Sequence, residues 1–319
     1  MPSLITKRPV LSFAILCATF YYLFSCTVSP INVDAPQLPG LGVLGCGYDA
    51  TKDYANARSS RLRIFELGPR DEIIEAPNGK KYSVPKEIKL ELRDINTGRF
   101  KSINGTTAEM YRTNLSGNVK VSGSYGLFSG SVTSSFTKEE RASFSHEFVT
   151  VHHIFDAWTL SLPDYSSLSM VNEAKKDING ALSPKKVIEK YGTHVLVNAV
   201  IGGRAEDNCF IDLINFSSKV GSTTIAEASY KGKLGLSAGG ETKYGQDLES
   251  FKKYSRTDFK TIGGDYRPNF DPNDFGAWMS SFKQHPVLVD FTEQSLIEIF
   301  KLALNKKRRE DLKAAFTQY

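Results

Sequence analysis

The chain has 319 residues, 40% of them hydrophobic, which is enough for one large domain or two small ones with a substantial core. Its net charge of +5 is too small to indicate nucleic-acid binding, and it has no phosphate-binding loop, dinucleotide fingerprint or zinc-ligand spacing. These bounds exclude disorder and favour a folded protein that acts without nucleic acid, a metal ion or another cofactor.

The N-terminus predicts export. Lys7 and Arg8 precede an apolar run over residues 10–24, which is short for a membrane-spanning helix. The run ends in a Leu-Phe-Ser tripeptide directly before Cys26, which resembles a bacterial lipobox. We expect a signal peptide over residues 1–25, lipidation of Cys26, and a flexible tether over residues 26–40. The protein would then be an outer-membrane or cell-surface lipoprotein, or secreted; an ordinary signal peptide with an incidental cysteine is the alternative.

A first segment without a clear preference covers about residues 115–145. Apolar residues or glycine alternate with polar ones near its start, and serine and glycine dominate from residue 129 to residue 135. Alternation is typical of a strand, but such a polar sequence can also form helices packed on a soluble domain. The residues leave both a helix and an extended hairpin open. The alternating positions are Val119, Val121, Gly123, Tyr125 and Leu127.

A helix, a turn and a strand are predicted from residue 183 onward. Ser183 and Pro184 are typical of a helix N-cap and first helical position, and we expect Gly192 to end this helix in a left-handed conformation. The run 194–201 is almost continuously apolar and β-branched, which predicts a buried strand. Gly202-Gly203 would close that strand at a bend or a close approach of backbones.

Nothing in the sequence predicts an enzyme. His194 has no visible serine, cysteine or carboxylate partner, so we expect a structural, partly buried histidine. His152 and His153 are neighbours on a predicted strand, where they point to opposite faces and cannot bind one metal ion. Cys46 and Cys209 could form a disulfide in an exported chain, but the sequence does not show whether they meet.

The clearest alternation follows in a second segment, over residues 225–240. Even-numbered positions are small or apolar and odd-numbered positions are mostly polar or charged. The run is longer than the ~9–11 residues of a tilted transmembrane strand, which would meet lipid on one side and a water-filled lumen on the other. A half-buried strand of a soluble sheet would alternate in the same way. The predicted lipid-facing residues are Ala226, Ala228, Tyr230, Leu234, Leu236 and Ala238, and the predicted lumen-facing residues are Lys231 and Lys233.

The run Tyr191-Gly192-Thr193-His194, followed at a fixed distance by Gly202-Gly203, resembles the signature of the membrane-attack-complex/perforin (MACPF) family. The Gly-Cys-Gly-Tyr-Asp run at residues 45–49 is similar to the opening of many bacterial members, and the resemblance covers a single domain over residues 41–319. Val195 departs from the aromatic residue that the family usually has there. Because the signature is structural in that family, the resemblance implies no catalytic residue and no cofactor.

The resemblance implies an α+β, MACPF/cholesterol-dependent-cytolysin-like fold. Such a fold has a bent four-stranded antiparallel sheet flanked by two helical clusters, each of which can convert to a transmembrane β-hairpin. The segments at residues 115–145 and 216–251 fall in the places of these clusters. Gly263-Gly264 would echo Gly202-Gly203 at the bend of the sheet.

The resemblance also implies a function. MACPF proteins of this kind oligomerise as a ring or arc on a target membrane, with lipids or a surface receptor as partners, and insert β-hairpins that form a pore. Similarity to secreted MACPF lipoproteins of Bacteroidales would make the protein an antibacterial toxin. The alternative is a non-lytic MACPF protein that keeps the fold as a surface-binding module, and the amphipathicity of the two segments distinguishes the two hypotheses.

Overall fold

A computed structural model describes residues 35–117, 119, 127–236, 243–265 and 270–319. The predicted signal peptide, Cys26 and Ala238 lie outside these ranges. The described residues form twelve strands: β1 (Cys46–Tyr48), β2 (Ser60–Arg63), β3 (Glu72–Glu75), β4 (Lys81–Val84), β5 (Lys89–Leu92), β6 (Gly98–Gly105), β7 (His146–Ser161), β8 (His194–Leu196), β9 (Asn198–Asp212), β10 (Ser255–Ile262), β11 (Val287–Asp290) and β12 (Leu296–Glu298).

Helices connect these strands, and five of them form two groups. Within the described ranges the α-helices are α1 (Ala108–Gly117), α2 (Ser129–Ser135), α3 (Lys138–Arg141), α4 (Asn172–Lys176), α5 (Pro184–Tyr191), α6 (Ser222–Lys233), α7 (Gly245–Tyr254), α8 (Phe275–Gln284) and α9 (Lys306–Gln318). We call α1 to α3 the first cluster and α6 with α7 the second cluster. The predicted helix after Ser183 is confirmed, with Pro184 in its first turn.

Two long antiparallel strands, β7 and β9, form the centre of the main sheet. His146 lies opposite Asp212 at one end, which we call the lower end, and Ser161 lies opposite Asn198 at the other. At the lower end β6 pairs with β7 and β10 pairs with β9, whereas β5 and β11 take these outer places at the upper end. The sheet is therefore four strands wide at both ends, and the predicted four-stranded antiparallel sheet is confirmed.

The central strands exchange their outer partners near a bulge. β7 has one extra residue, Ala157, between the pairs Asp156–Gly202 and Trp158–Ile201. An extra residue bends a strand and increases its local twist, and the sheet is bent. Gly202-Gly203 lies inside β9 rather than at its end, so the prediction that it closes the strand is wrong.

β9 continues because its polar residues find partners in the fold. Arg204 Nη2 lies 2.8 Å from Glu206 Oε1, and Asp207 pairs with a lysine of α6. The predicted strand over residues 194–201 is also divided, since β8 belongs to a second, smaller sheet. Cys46 and Cys209 are both buried and unpaired, which settles the question of a disulfide between them.

The two clusters cover opposite faces of the main sheet. Side chains of a strand alternate between faces, so Thr150 of β7 and its partners lie on one face, the first face, and His153 lies on the other, the second face. Tyr111 of α1 has its hydroxyl 2.6 Å from Thr150 Oγ1, which places the first cluster on the first face. Tyr230 of α6 has its hydroxyl 3.2 Å from His153 Nδ1, which places the second cluster on the second face.

Candidate functional site

The residues Tyr191 to His194 lie at a corner where α5 ends on the small sheet, whose strand order is β12-β8-β1-β2. Tyr191 donates its hydroxyl to Asp177 at 2.8 Å. Gly192 has φ 81° and ψ −172°, and a Cβ there would lie 2.5 Å from the backbone carbonyl of Tyr48. Its φ is positive, but its ψ is extended rather than left-handed helical as we predicted, because the chain enters β8 almost at once.

Thr193 and His194 join the beginning of the described domain to its end. Thr193 Oγ1 accepts a hydrogen bond from the N–H of Ala50 at 2.9 Å, and its own N–H donates to the carbonyl of Tyr48 at 3.0 Å. His194 is fully buried, more than we predicted, and its ring packs edge-on against Phe316 with centroids 5.5 Å apart. Burial lowers its pKa to about 4, so it is neutral at pH 7. These contacts are those of a structural junction.

The two double glycines lie together beside the bulge of the main sheet. A Cβ on Gly202 would lie 1.8 Å from the carbonyl oxygen of Phe155, and one on Gly203 would lie 2.4 Å from the ring of Phe282. Gly263-Gly264 follows β10 directly and has φ values of 86° and 71°. A Cβ on Gly263 would lie 2.9 Å from the carbonyl oxygen of Gly202. Backbones and rings therefore approach here more closely than any other residue type allows.

Tyr230 anchors the second cluster. Its ring stacks on Phe259 of β10 with centroids 5.5 Å apart, and its hydroxyl meets His153. Ile225 and Ala226 are fully buried on the same side of α6, one turn earlier. The described part of the segment with strand-like alternation is therefore helical as far as Lys233, and the alternative of a half-buried strand in a soluble sheet is wrong for these residues. The helical cluster that the resemblance implied at this place is present.

Two lysines near the end of α6 make charged contacts. Lys231 Nζ lies 2.6 Å from Glu227 Oε1, four residues earlier, and 4.5 Å from the centre of the Phe100 ring. Lys233 Nζ lies 2.7 Å from Oδ2 of Asp207, a fully buried carboxylate of the second face. No described residue hydrogen-bonds the other oxygen of Asp207. Burial raises the pKa of Asp207, and Lys233 opposes that rise. The last residue of α6 is thus fastened to the sheet.

The first cluster leaves a cavity above its face of the sheet. Phe136 meets Phe148 edge-on with centroids 4.8 Å apart, and Arg256 of β10 forms an ion pair with Glu140 of α3 at 2.5 Å. A cavity of about 290 Å³ remains between this cluster and the sheet. Its lining includes Tyr54, Tyr111, Ser131, His152, Arg204, Glu206 and Asn208. The cluster therefore covers polar and charged groups of the first face without filling the space above them.

The structure places the predicted lipid-facing residues in and after one helix. Ala226 and Tyr230 are buried, Ala228 is half-buried, and Leu236 is 47% exposed beyond the end of α6. Sequence reasoning missed the groups that hold this helix, above all Asp207, because nothing near it in the chain marks a carboxylate that will be buried beside a lysine 26 residues away.

A family model described as the MAC/Perforin domain matches residues 35–319, which is most of the chain. The chain belongs to the MACPF family. The structure of GNIP1Aa from Chromobacterium piscinae is similar to this one with a TM-score of 0.80 at 26% sequence identity, over 89% of this chain and 56% of that one. A putative cell invasion protein with a MAC/Perforin domain from Bacteroides thetaiotaomicron has a TM-score of 0.62 at 14% identity, over 90% and 63%. No curated protein matches the chain.

The predicted MACPF fold is confirmed by these matches and by the bent sheet with its helices. The chain covers less than two thirds of the length of either structure named above. Among the residues that the structure describes, no helix is both long and apolar enough to cross a membrane. The same residues include no group of three or more His, Cys, Asp or Glu side chains placed to bind a metal ion.

Proposed function

We propose that this MACPF protein forms pores. It would oligomerise as a ring or arc on a target membrane and convert its two clusters into β-hairpins of a shared barrel. One observation carries the proposal: residues 226–236 alternate between small or apolar even-numbered positions and mostly polar odd-numbered positions, although they are folded as α6 and the turn after it. Period-2 alternation serves a strand, whereas a helix needs period 3.6.

The resting helix does not bury the alternating residues together on one side. It buries Ile225, Ala226, Ser229 and Tyr230, which follow helical spacing, and leaves Leu236 exposed. In a barrel the even-numbered residues from Ala226 to Ala238 would share one side and contact lipid. Because backbone groups in lipid are satisfied only in a closed barrel, assembly on the membrane would precede insertion.

Purified mature protein should release dye from vesicles and form rings or arcs visible by electron microscopy. A matched control carries Glu147→Cys and Ser222→Cys, whose native side chains lie 2.5 Å apart and join β7 to the start of α6. Bridging this pair with a short bismaleimide should abolish release, while the same variant left unbridged should leak. If bridged and unbridged protein both bind vesicles and neither releases dye, the non-lytic alternative is correct and the proposal fails.

We also propose that the protein is exported and anchored through a lipid on Cys26, which supports a position at the cell surface. The Leu-Phe-Ser-Cys sequence after the apolar run supports this step. Cys26→Ser should move the protein from the membrane fraction to the soluble fraction and remove the acyl mass from its N-terminal peptide. Unchanged membrane association, with no acyl chain found on the wild type, would contradict the anchor.

Neighbouring bacteria are the proposed target cells. Both structures named above come from bacterial proteins, and an exported pore former would meet other cells from outside. Vesicles of bacterial lipids should therefore leak more readily than vesicles of phosphatidylcholine and cholesterol. Equal leakage from both would point instead to a surface receptor as the source of selectivity.

A further inference from the structure

We infer, resting on the proposed function, that one face of the sheet defines the whole lipid-contacting surface of the inserted form. This is the first face, now covered by the first cluster, and the second hairpin turns at Lys233. The argument uses the register of the resting sheet. The pairing of two antiparallel strands can continue into the residues that join them. Each further residue on one strand then lies opposite the next residue on its partner.

The ladder between β9 and β10 fixes the turn of the second hairpin. Ser255 lies opposite Ile211, and the next pair would be Asp212 with Tyr254. Continued without a slip, the pairs converge on Lys233, midway between these two residues. Lys233 is preceded by Gly232 and followed closely by Gly235, which suit a tight turn.

The ladder between β6 and β7 fixes the turn of the first hairpin in the same way. Gly105 lies opposite Phe148, so the pairs converge between Gly126 and Leu127. Counted along the chain from the pair His146–Asp212 at the lower end, each turn is then about 20 residues away. The two counts differ by about two residues. The two hairpins would end level, as strands of one barrel must if their backbone groups are to be paired down to the rim.

The distribution of charge agrees with this register in the second segment. Even-numbered residues of β9, such as Arg204 and Glu206, lie on the first face because Glu206 is opposite His152 of β7, two residues from Thr150. The β9–β10 ladder joins even numbers to even numbers, so both arms keep this rule. All charged residues between Leu213 and Phe251 have odd numbers and would lie on the second face: Lys219, Glu227, Lys231, Lys233, Glu241, Lys243, Asp247 and Glu249.

The first segment gives the same answer independently. Continued from β6 and β7, its first-face positions from residue 119 to residue 136 carry valine, tyrosine or phenylalanine, apart from Gly123, Gly130 and Ser134. The second-face positions carry mostly serine, threonine, asparagine and lysine, with Leu127 at the turn as the apolar exception. Glu109, Lys138 and Glu140 are charged first-face positions, but they lie close to the sheet, outside the part that would cross a bilayer. The described apolar residues are Val119, Phe128, Val132 and Phe136, and all four are buried against the sheet in the resting fold.

The arms are longer than a bilayer is thick. About 20 residues at ~3.3 Å each extend ~66 Å, whereas a tilted strand crosses the hydrocarbon in ~9–11 residues. The ten or so residues on each side of Lys233 would therefore lie in the membrane, with Lys231 and Lys233 reaching the far interface. Leu234 and Leu236 then belong to the returning arm, close to the turn. In the resting fold Lys233 forms an ion pair with Asp207. In the inserted form it would lie at the end of the hairpin that crosses the membrane first.

Two measurements test this register in a variant whose Cys26, Cys46 and Cys209 are replaced by alanine. First, an environment-sensitive dye on single cysteines should shift to apolar emission at positions 226, 228 and 230 and keep aqueous emission at positions 227, 229 and 231. Second, a dye on Lys233→Cys should be quenched by a short-range quencher attached only to headgroups of the inner leaflet, whereas the same dye on Ser218→Cys should not be.

The outcomes separate this inference from the proposed function. Leakage with apolar emission at the odd positions, or with no quenching of Lys233→Cys from the inner leaflet, would overturn the register while leaving the pore intact. Absence of both leakage and any dye response would refute the proposed function and this inference with it.

Discussion

Acidification from pH 7 to pH 5 should destabilise the resting fold through three buried histidines. His152, His153 and His194 are 3%, 5% and 0% exposed, and burial lowers their pKa values to about 3, 4 and 4. In the unfolded chain a histidine has a pKa near ~6.5. Between these values the unfolded state binds more protons, so stability decreases as the pH falls below ~6.5 and continues to decrease down to the folded pKa. Asp207 acts in the opposite direction, since its raised pKa favours the folded state in acid.

The size of the effect follows from the two pKa values. At pH 5 each histidine costs about 2 kcal/mol of unfolding free energy, or about 6 kcal/mol for the three. His153 is the most informative of them, because it lies under the second cluster. Its ring stacks on Phe100 at 4.2 Å, packs against Phe155 at 4.3 Å, and meets the hydroxyl of Tyr230. Burial and the nearby charge of Lys231 both lower its pKa.

Urea unfolding without lipid, at pH 7 and at pH 5, measures this contribution. His153→Phe keeps a ring in the aromatic site and loses one hydrogen bond, at a cost of about 1 kcal/mol at both pH values. Its loss of stability between pH 7 and pH 5 should be about 2 kcal/mol smaller than that of the wild type. The matched control is Tyr230→Phe, which removes the same hydrogen bond but keeps His153 and should leave the wild-type difference unchanged. Equal losses in His153→Phe and the wild type would refute the reasoning.

Three further predictions concern the cluster, the bend and the hairpin. Lys233→Met leaves the buried Asp207 charge unpaired and should cost about 3–5 kcal/mol in urea unfolding, whereas Asp207→Asn should cost much less; equal costs would show that burial of the carboxylate is not the cause. Gly203→Ala pushes against the Phe282 ring and should cost about 1–3 kcal/mol, so its monomer should already unfold at lower urea; an unchanged midpoint would mean that the ring moves freely. Ala228→Arg places charge in lipid at about 2–4 kcal/mol per copy and should abolish dye release, while Glu227→Arg on the lumen side should still leak; the reverse pattern would contradict the face assignment.

The sequence predicted the elements whose signals are local. The helix after Ser183 begins with its proline, and the strand predicted from His194 begins at that residue as β8. The end of β9 was missed because Arg204, Glu206 and Asp207 follow Gly203 and such residues are rarely buried without partners. Their partners come from each other and from a helix on the far side of the next loop, which no window of sequence contains.

The helix in the second segment could not be predicted from the pattern of apolar and polar residues. Its alternation predicts a strand, but Ile225, Ala226 and Tyr230 also satisfy helical spacing when a sheet lies beneath them. A sequence that supports two structures gives a clear signal for only one of them. The resting contacts with His153 and Asp207 decide for the helix, and both come from strands far away in the chain.

The four-strand width of the main sheet sets the step by which the circumference of any pore built from it can change. Neighbouring strands lie ~4.8 Å apart, so each copy would add about 19 Å to the circumference of the wall, or slightly more with tilt. One copy more or fewer would then change the diameter by about 6 Å. Single-channel recordings on planar bilayers should therefore resolve a ladder of discrete conductance levels rather than a continuous spread.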